Sequence, residues 1–449
     1  MENIKPKQLS FSEITDKFLK LEEKKQLLNL KINNVFPWQI VRVKIFTEII
    51  THYMPGNVEQ PTEQKFNNLK RILYRLLANA MIYNPFFDFA KSEILMFESG
   101  RKYRSKNSYI DIYTHYLHDI LKKQGKNITT YETYYNENES FYKRGKKVKH
   151  LDFIHFYTSF LSKIKKGNFT DSELKKIKSI RKDLTNEFNL DINVLGIFNS
   201  EINKFKIEFS LYDRLLKKKK PKEIFIINSC DRCSLIDAAK QNKIFVNELQ
   251  HGLNSDKDVI LNFPFAKKDS LAYFPDKFYI WDNVDMFFAT LPLSEKNILS
   301  LPNYHLQQLV DETIDVPKEN DHLLFISQPI GSIEIQEFII NNIEKLANYK
   351  ISYKVHPAEN KDNLVKLRNY SDNHLNLRII DNNESIYVLM KKAKYVIGIY
   401  SSALFEAIAF DCKIILLNLS GVEMSFPLLK QSNNKLIEIN EDLSVYLND

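Results

Sequence analysis

The stretch "KYVIGIYSSALFEAIAFDCKIILLNL", Lys394 to Leu419, decides the fold. It opens on a short apolar run that ends in a serine pair. The pattern then switches to helical spacing over "ALFEAIAFD" and returns to a second apolar run, "CKIILLNL". Strand, helix, strand at this spacing is one unit of a parallel sheet. Upstream the same alternation repeats: "HLLFISQP" (His322–Pro329), "KISYKVHP" (Lys350–Pro357) and "LNLRIID" (Leu375–Asp381) read as strands, separated by helical patterns such as "SIEIQEFIINNIEKLAN" and "ESIYVLMKKA". Five strands with intervening helices predict a doubly wound α/β domain over residues 316–449.

The polar, proline-containing "DVPKEND" (Asp315–Asp321) reads as the linker into that domain. Before it, "SEILMFES", "KEIFIINS", "KIFVNELQHG" and "KFYIWD" alternate with helical segments, which predicts a second Rossmann-like domain over residues 81–315. Residues 1–80 read mostly as helices, with "RILYRLLANAMI" strongly apolar around two arginines.

Composition narrows the class. The chain has 449 residues, 44% of them apolar, enough for two or three domains. No run of 18 or more apolar residues could span a bilayer, and the first residues lack the apolar stretch of a secretory signal, so the expected location is cytoplasmic. Three cysteines do not make a disulfide framework. The net charge of +8 suits anionic substrates or a peripheral contact with the inner membrane and does not by itself indicate nucleic acid. The densest positive run, Lys217 to Lys220, reads as a solvated helix end, with an anionic lipid or acceptor as the alternative.

Three loops leave strand ends of the C-terminal domain with special residues: Gln328-Pro329, His356-Pro357 and Tyr400-Ser401-Ser402. Right-handed crossovers make the strands parallel, so these loops gather along one edge. His356, held extended before Pro357, stands where ligands of open α/β sheets bind. Ser401 and Ser402 open a helix, where backbone N–H groups and the helix dipole attract an anion such as phosphate. The plainer alternative is that one serine only caps the helix. Glu359, two residues after Pro357, is expected in the first turn of the next helix, where its charge suits the dipole.

These residues carry a resemblance. "KVHP" followed by "GIYSSALFEA" resembles the His-Pro and Ser-Ser motifs of bacterial sialyltransferases and of related capsule transferases that use CMP-activated sugars, and "ISQP" is similar to the Gln-Pro element of bacterial Kdo transferases. The resemblance covers Leu323 to Leu419. It implies a GT-B-like architecture, two Rossmann-like domains facing a cleft, with the nucleotide sugar on the C-terminal domain and a glycan or lipid-linked acceptor on the other. It further implies an inverting transfer that needs no cofactor or metal, in surface polysaccharide synthesis. His356, Ser401 and Ser402 match the residues that hold the donor phosphate, and Glu406 matches an acidic residue that reaches the donor's ribose or sugar. Sugar transferases with other donors share these short motifs, so a UDP- or GDP-sugar, a CDP-polyol, or a noncatalytic module of an assembly complex are the alternatives.

The base of such a transfer belongs on the acceptor side. "VNELQHGLNS" ends a strand with an imidazole, and a histidine with its ordinary pKa near 6.5 suits proton abstraction at neutral pH. His251 is therefore the candidate base. The sialyltransferase pattern here is an acidic pair before glycine, whereas this chain has Gln250-His251-Gly252, so Glu248 and Asp231 are held in reserve. "CDRC" (Cys230–Cys233) and "DKD" (Asp256–Asp258) lack the partners a metal or redox site needs and read as incidental and as a solvated loop. Arg101, Lys102 and Arg104 read as a solvated loop, with an anionic acceptor as the alternative.

Overall fold

The structure, a computed structural model, describes residues 9–447 apart from 54–82, 106–107, 133–147, 165–166, 330, 358, 360 and 382–383. The expected helix in "RILYRLLANAMI" and the boundary at residue 80 lie outside the described residues.

Strand β1 (Ile94–Phe97) is followed by a hairpin, β2 (Lys102–Ser105) and β3 (Ser108–Asp111), that stands apart from the sheets. Then come β4 (Ile128–Glu132), β5 (Val148–His150), β6 (Glu223–Ile226), β7 (Phe245–Leu249), β8 (Lys277–Trp281) and β9 (Ile298–Leu301). With β1 they form one sheet in the order β5-β4-β1-β6-β7-β8-β9, every neighbouring pair parallel. The second sheet takes β10 (Glu319–Ile326), β11 (Lys350–Lys354), β12 (Leu377–Ile380), β13 (Ala393–Gly398), β14 (Lys413–Leu417) and β15 (Lys435–Ile437), in the order β12-β11-β10-β13-β14-β15, again all parallel. These are the two doubly wound, Rossmann-like sheets of a GT-B-like fold.

Each sheet begins near its middle, winds outward for two strands, then crosses back and continues on the other side. The reversal leaves a crevice at the strands' carboxyl ends, between β1 and β6 in one sheet and between β10 and β13 in the other. The first sheet has three strands beyond the four expected, β4, β5 and β9, and the basic segment read as a loop enters the β2-β3 hairpin. The second sheet differs in two details. β10 starts at Glu319, so the tail of "DVPKEND" is already strand, and β15 adds a sixth strand that three residues were too few to signal.

The second sheet's core is made by Leu323, Leu324, Phe325, Ile351, Tyr353, Val396, Ile397 and Ile414, all buried. Full burial of such side chains stabilises by roughly 1.5–3 kcal/mol each. Met286 and Leu306, from the segment between β8 and β10, belong to this same cluster, so apolar packing ties the two domains together.

The N-terminal helices, Phe11–Lys24 and Pro37–Tyr53, are built into the first domain. A capping box between Ser10 and Glu13 starts the first helix. Phe18 stacks on Trp38 with ring centroids 5.7 Å apart, within a cluster shared with the Asp171–Phe188 and Val194–Lys219 helices. At its centre buried Arg42 pairs with buried Glu22 (Nε to Oε2, 2.9 Å), and it also donates to the carbonyls of Val259 and Asn262. The helices thereby brace the loop that follows His251.

Lys217–Lys220 is only partly a solvated end: Lys217 and Lys220 are exposed, whereas Lys218 and Lys219 are packed against the Phe86–Ala90 segment. Lys219 is buried and pairs with Asp88 at 2.6 Å, Lys218 donates to the Phe86 carbonyl, and Lys217 pairs with Asp213 at 2.7 Å. Lys220 takes the left-handed conformation that ends the helix.

Candidate active site

The crevice between β1 and β6 holds a pocket of about 470 Å³. Ser99 and Arg101 reach it from the loop after β1; Asn228, Asp231 and Arg232 from the loop after β6; His251 from the end of β7. Tyr113, His155 and Ile227 complete the wall.

Hydrogen bonds fix each loop. The carboxylate of buried Asp111, at the end of β3, accepts from the N–H of Ser99 (3.0 Å), the hydroxyl of Ser99 (2.7 Å) and the N–H of Gly100 (3.2 Å). Gly100 has φ 84°, a left-handed turn that favours glycine, and it aims Arg101 inward. Gln250 clamps the next loop, donating to the Gly252 carbonyl at 2.8 Å and accepting from the Trp281 N–H at 2.7 Å. The glutamine of Gln-His-Gly therefore orients the histidine and does not line the pocket.

His251 stands at the pocket wall, its Nδ1 buried without a hydrogen-bond partner. Burial, reinforced by the charge of Arg101, pushes its pKa down to about 4 instead of the ordinary value expected from sequence. The imidazole is neutral at neutral pH, and a weaker base than its ordinary value would make it. Of the reserve candidates, Asp231 lines the pocket and accepts from the Asn228 side chain at 2.6 Å. Glu248 is fully buried outside the lining. Its Oε1 accepts from the Ser229 N–H at 3.0 Å, and burial raises its pKa to about 7. It supports the loop after β6.

In the second domain, Gln328 and Ser401 flank the reversal between β10 and β13, and His356-Pro357 follows β11 next to them. Gln328 is buried, His356 half-buried and Pro357 exposed. Ser401 caps the short Ser402–Glu406 helix, accepting from the Ala403 N–H at 3.2 Å, and Ser402 is half-buried. Burial and then Arg101 lower the pKa of His356.

Glu359 overturns its expectation. It is buried, not on a helix, and its carboxylate accepts from Tyr353 Oη at 2.8 Å, Gln336 Nε2 at 3.0 Å and the Ser327 hydroxyl. It also meets the His356 N–H at 3.4 Å, so it ties the His-Pro turn to β10, β11 and the Ser332–Asn342 helix. Glu406 lines a small cavity with Arg101, His251 and Tyr387; burial raises the pKa of its carboxyl, which Arg101 and a hydrogen bond from Tyr387 offset. It looks toward the first domain.

Arg101 is the residue on which these positions converge. It is exposed to solvent and donates to the Tyr113 hydroxyl at 2.9 Å. Its charge acts on His251 and His305 of the first domain and on His356, Tyr387 and Glu406 of the second. Sequence reading noticed Arg101 only as part of a basic loop. The signal that singles it out is its place just after a left-handed glycine, at the carboxyl end of the first strand. Its neighbour Lys102 turns away to pair with Glu132 at 3.0 Å and with Glu98. The structure describes no side-chain detail for Arg104.

The remaining motifs are structural. Cys230 and Cys233 are free thiols whose pKa values burial raises. Asp256 is exposed, and Asp258 accepts from the Ile260 N–H at 2.9 Å, closing its own loop. Among the described residues no three His, Cys, Asp or Glu side chains converge as a metal site.

No family model and no curated protein matches the sequence. Solved structures that align along most of the chain include the UDP-GlcNAc 2-epimerase from Methanocaldococcus jannaschii, at 12% identity and TM-score 0.47, covering 79% of this chain and 90% of that one. The UDP-GlcNAc 2-epimerase from Neisseria meningitidis bound to UDP-GlcNAc aligns at 11% identity and TM-score 0.44, over 79% and 88%. Acinetobacter baumannii MurG aligns at 10% and 0.44, over 80% and 89%. Alignments this loose assign neither substrate nor reaction, and the fold assignment rests on the strand orders above.

Proposed function

We propose that this chain transfers a sugar from a nucleotide-activated donor to a glycan or lipid-linked acceptor, in the cleft between its two domains. The observation that carries the proposal is a cavity that both domains line, Arg101, Tyr113 and His251 from the first and Tyr387 and Glu406 from the second.

In this reading the donor phosphate sits by His356, Ser401 and Ser402, with Gln328 and Pro357 shaping the crevice, and the acceptor occupies the pocket beneath His251. The acceptor hydroxyl gives its proton to His251 as its oxygen bonds to the anomeric carbon. The bond from that carbon to the phosphate oxygen breaks with its electron pair, and the nucleotide leaves. Arg101 and His356 stabilise the charge growing on the leaving phosphate, the kind of preorganised electrostatics that supplies much of an enzyme's rate. A single displacement inverts the anomeric centre and, with a fixed guanidinium present, is proposed to proceed without metal.

The motif resemblance supports a CMP-activated sialic acid or Kdo-like donor. A thermal-shift screen of CMP, CDP, UDP and GDP tests it. A nucleotide at a hundredfold excess over its dissociation constant stabilises the fold by about 2.7 kcal/mol. A CMP-selective shift, lost in His356→Ala, is expected; a shift with UDP or GDP alone would replace the donor, and an unchanged shift in His356→Ala would remove His356 from the phosphate site. Turnover that falls in excess EDTA would reject the metal-free step.

A further inference from the structure

The Asp152–Ile164 helix has two unlike faces. Ile154 and Thr158 are buried and His155 lines the pocket, whereas Phe156, Phe160 and Ile164 stand on the outside, 60%, 58% and 63% exposed. Their spacing of four residues puts them in one stripe, with Tyr157 beside it. The stripe continues onto the neighbouring turn, where Phe87 and Phe89 are 57% and 81% exposed. Phe86 anchors that turn against Phe153 of the helix, with centroids 6.1 Å apart. Single exposed apolar side chains are ordinary; a contiguous group of this size marks an interaction surface.

Charge identifies the occupant. From Phe153 to Ile164 the helix carries no carboxylate, and Lys163 is exposed at its end. Lys218 lies over the Phe89 ring, 3.8 Å from its centroid, with Lys217 next to it. The acid of the turn, Asp88, is neutralised by buried Lys219 at 2.6 Å. Aromatic rings bordered by lysines, with no free acid among them, fit the headgroup region of an anionic bilayer, where rings sit at the interface and lysines meet lipid phosphates.

We propose that this face docks on an anionic membrane surface. The docking stands independently of the transferase reading. Combined with that reading it names the acceptor as lipid-linked, because His155 of the same helix lines the pocket. The bilayer would then lie about one helix diameter, 10–12 Å, from the pocket wall.

Sedimentation of the full chain with phosphatidylcholine vesicles, with and without 30% phosphatidylglycerol, tests the docking. Binding that requires phosphatidylglycerol and weakens with salt is expected. The Phe156→Glu/Phe160→Glu double variant should lose about tenfold or more of it, through two lost rings and two repelled charges. Its melting temperature and its nucleotide-induced shift should stay as in the wild type. Lys163→Glu, which leaves every ring in place, should lose a smaller part. A wild type that stays in the supernatant with both vesicles, or variants that bind equally well, would overturn the proposal. So would a wild-type dimer in light scattering that the double variant dissociates without any vesicle binding, since the face would then belong to a second copy.

Discussion

Arg101 donates to the Tyr113 hydroxyl at 2.9 Å, and that hydroxyl donates to the His251 carbonyl at 2.8 Å. A permanent cation is thus fastened to the backbone of the proposed base. Because burial and Arg101 hold the imidazole near pKa 4, it stays deprotonated as pH falls through 6.5. The acid limb of kcat/KM, which reports the free enzyme, should therefore lie near pH 4. In Arg101→Gln the limb should move upward while staying below 6.5, since burial, the larger cause, remains. A wild-type limb at 6.5, or one unmoved by the substitution, would contradict this.

Glu359→Ala should destabilise the C-terminal domain. Tyr353, Gln336 and Ser327 would each lose a buried acceptor. Buried donors left unpaired cost about 1–3 kcal/mol each, so a total of about 3 kcal/mol or more is expected in urea unfolding. Glu359→Gln, which keeps one carbonyl oxygen, should cost less.

Glu248 predicts a pH-dependent difference. Its native pKa, about 7, lies above the ordinary 4.5, so the folded state holds this proton longer than the unfolded state does. The contribution to stability is full below about 4.5 and is lost as pH rises through about 7. Glu248→Gln cannot ionise, so its stability relative to wild type should rise across that window, on the order of 3 kcal/mol in all. Parallel unfolding curves at pH 5 and pH 8 check it. A constant gap would mean that the carboxyl is ionised throughout.

Removing Glu22 leaves Arg42 buried without its carboxylate. Glu22→Ala should cost about 3–5 kcal/mol. Because Arg42 also holds the carbonyls of Val259 and Asn262, activity should fall at temperatures where the protein remains folded.

The second sheet was legible because each of its longer strands is an uninterrupted apolar run bounded by a helix of clear period, "KYVIGI" and "KIILLN" being the plainest. The loops that leave those strands were legible for the same reason: once the strands are parallel, Gln328, His356 and Ser401 must share an edge. What side chains do across space was not. Nothing local in "HPAE" distinguishes a helix-opening glutamate from one folded under its own turn. The difference is made by Ser327 and Gln336, which are distant in sequence. Within the run of four lysines nothing local marks Lys218 and Lys219 as packed; the Phe86 carbonyl and Asp88 are brought to them by a chain segment more than a hundred positions earlier. Arg101 suffered the same way, its importance residing wholly in neighbours contributed by another domain.

The carboxylate under the His-Pro turn also bears on how quickly a ligand can be captured. Tyr353, Gln336 and Ser327 immobilise Glu359 during folding, and Glu359 in turn restrains the backbone of His356. A ligand arriving at this crevice meets a turn that is already arranged, so ordering it is no part of the encounter. Association there should accordingly be limited by approach and orientation, with no slow rearrangement of this turn to wait for.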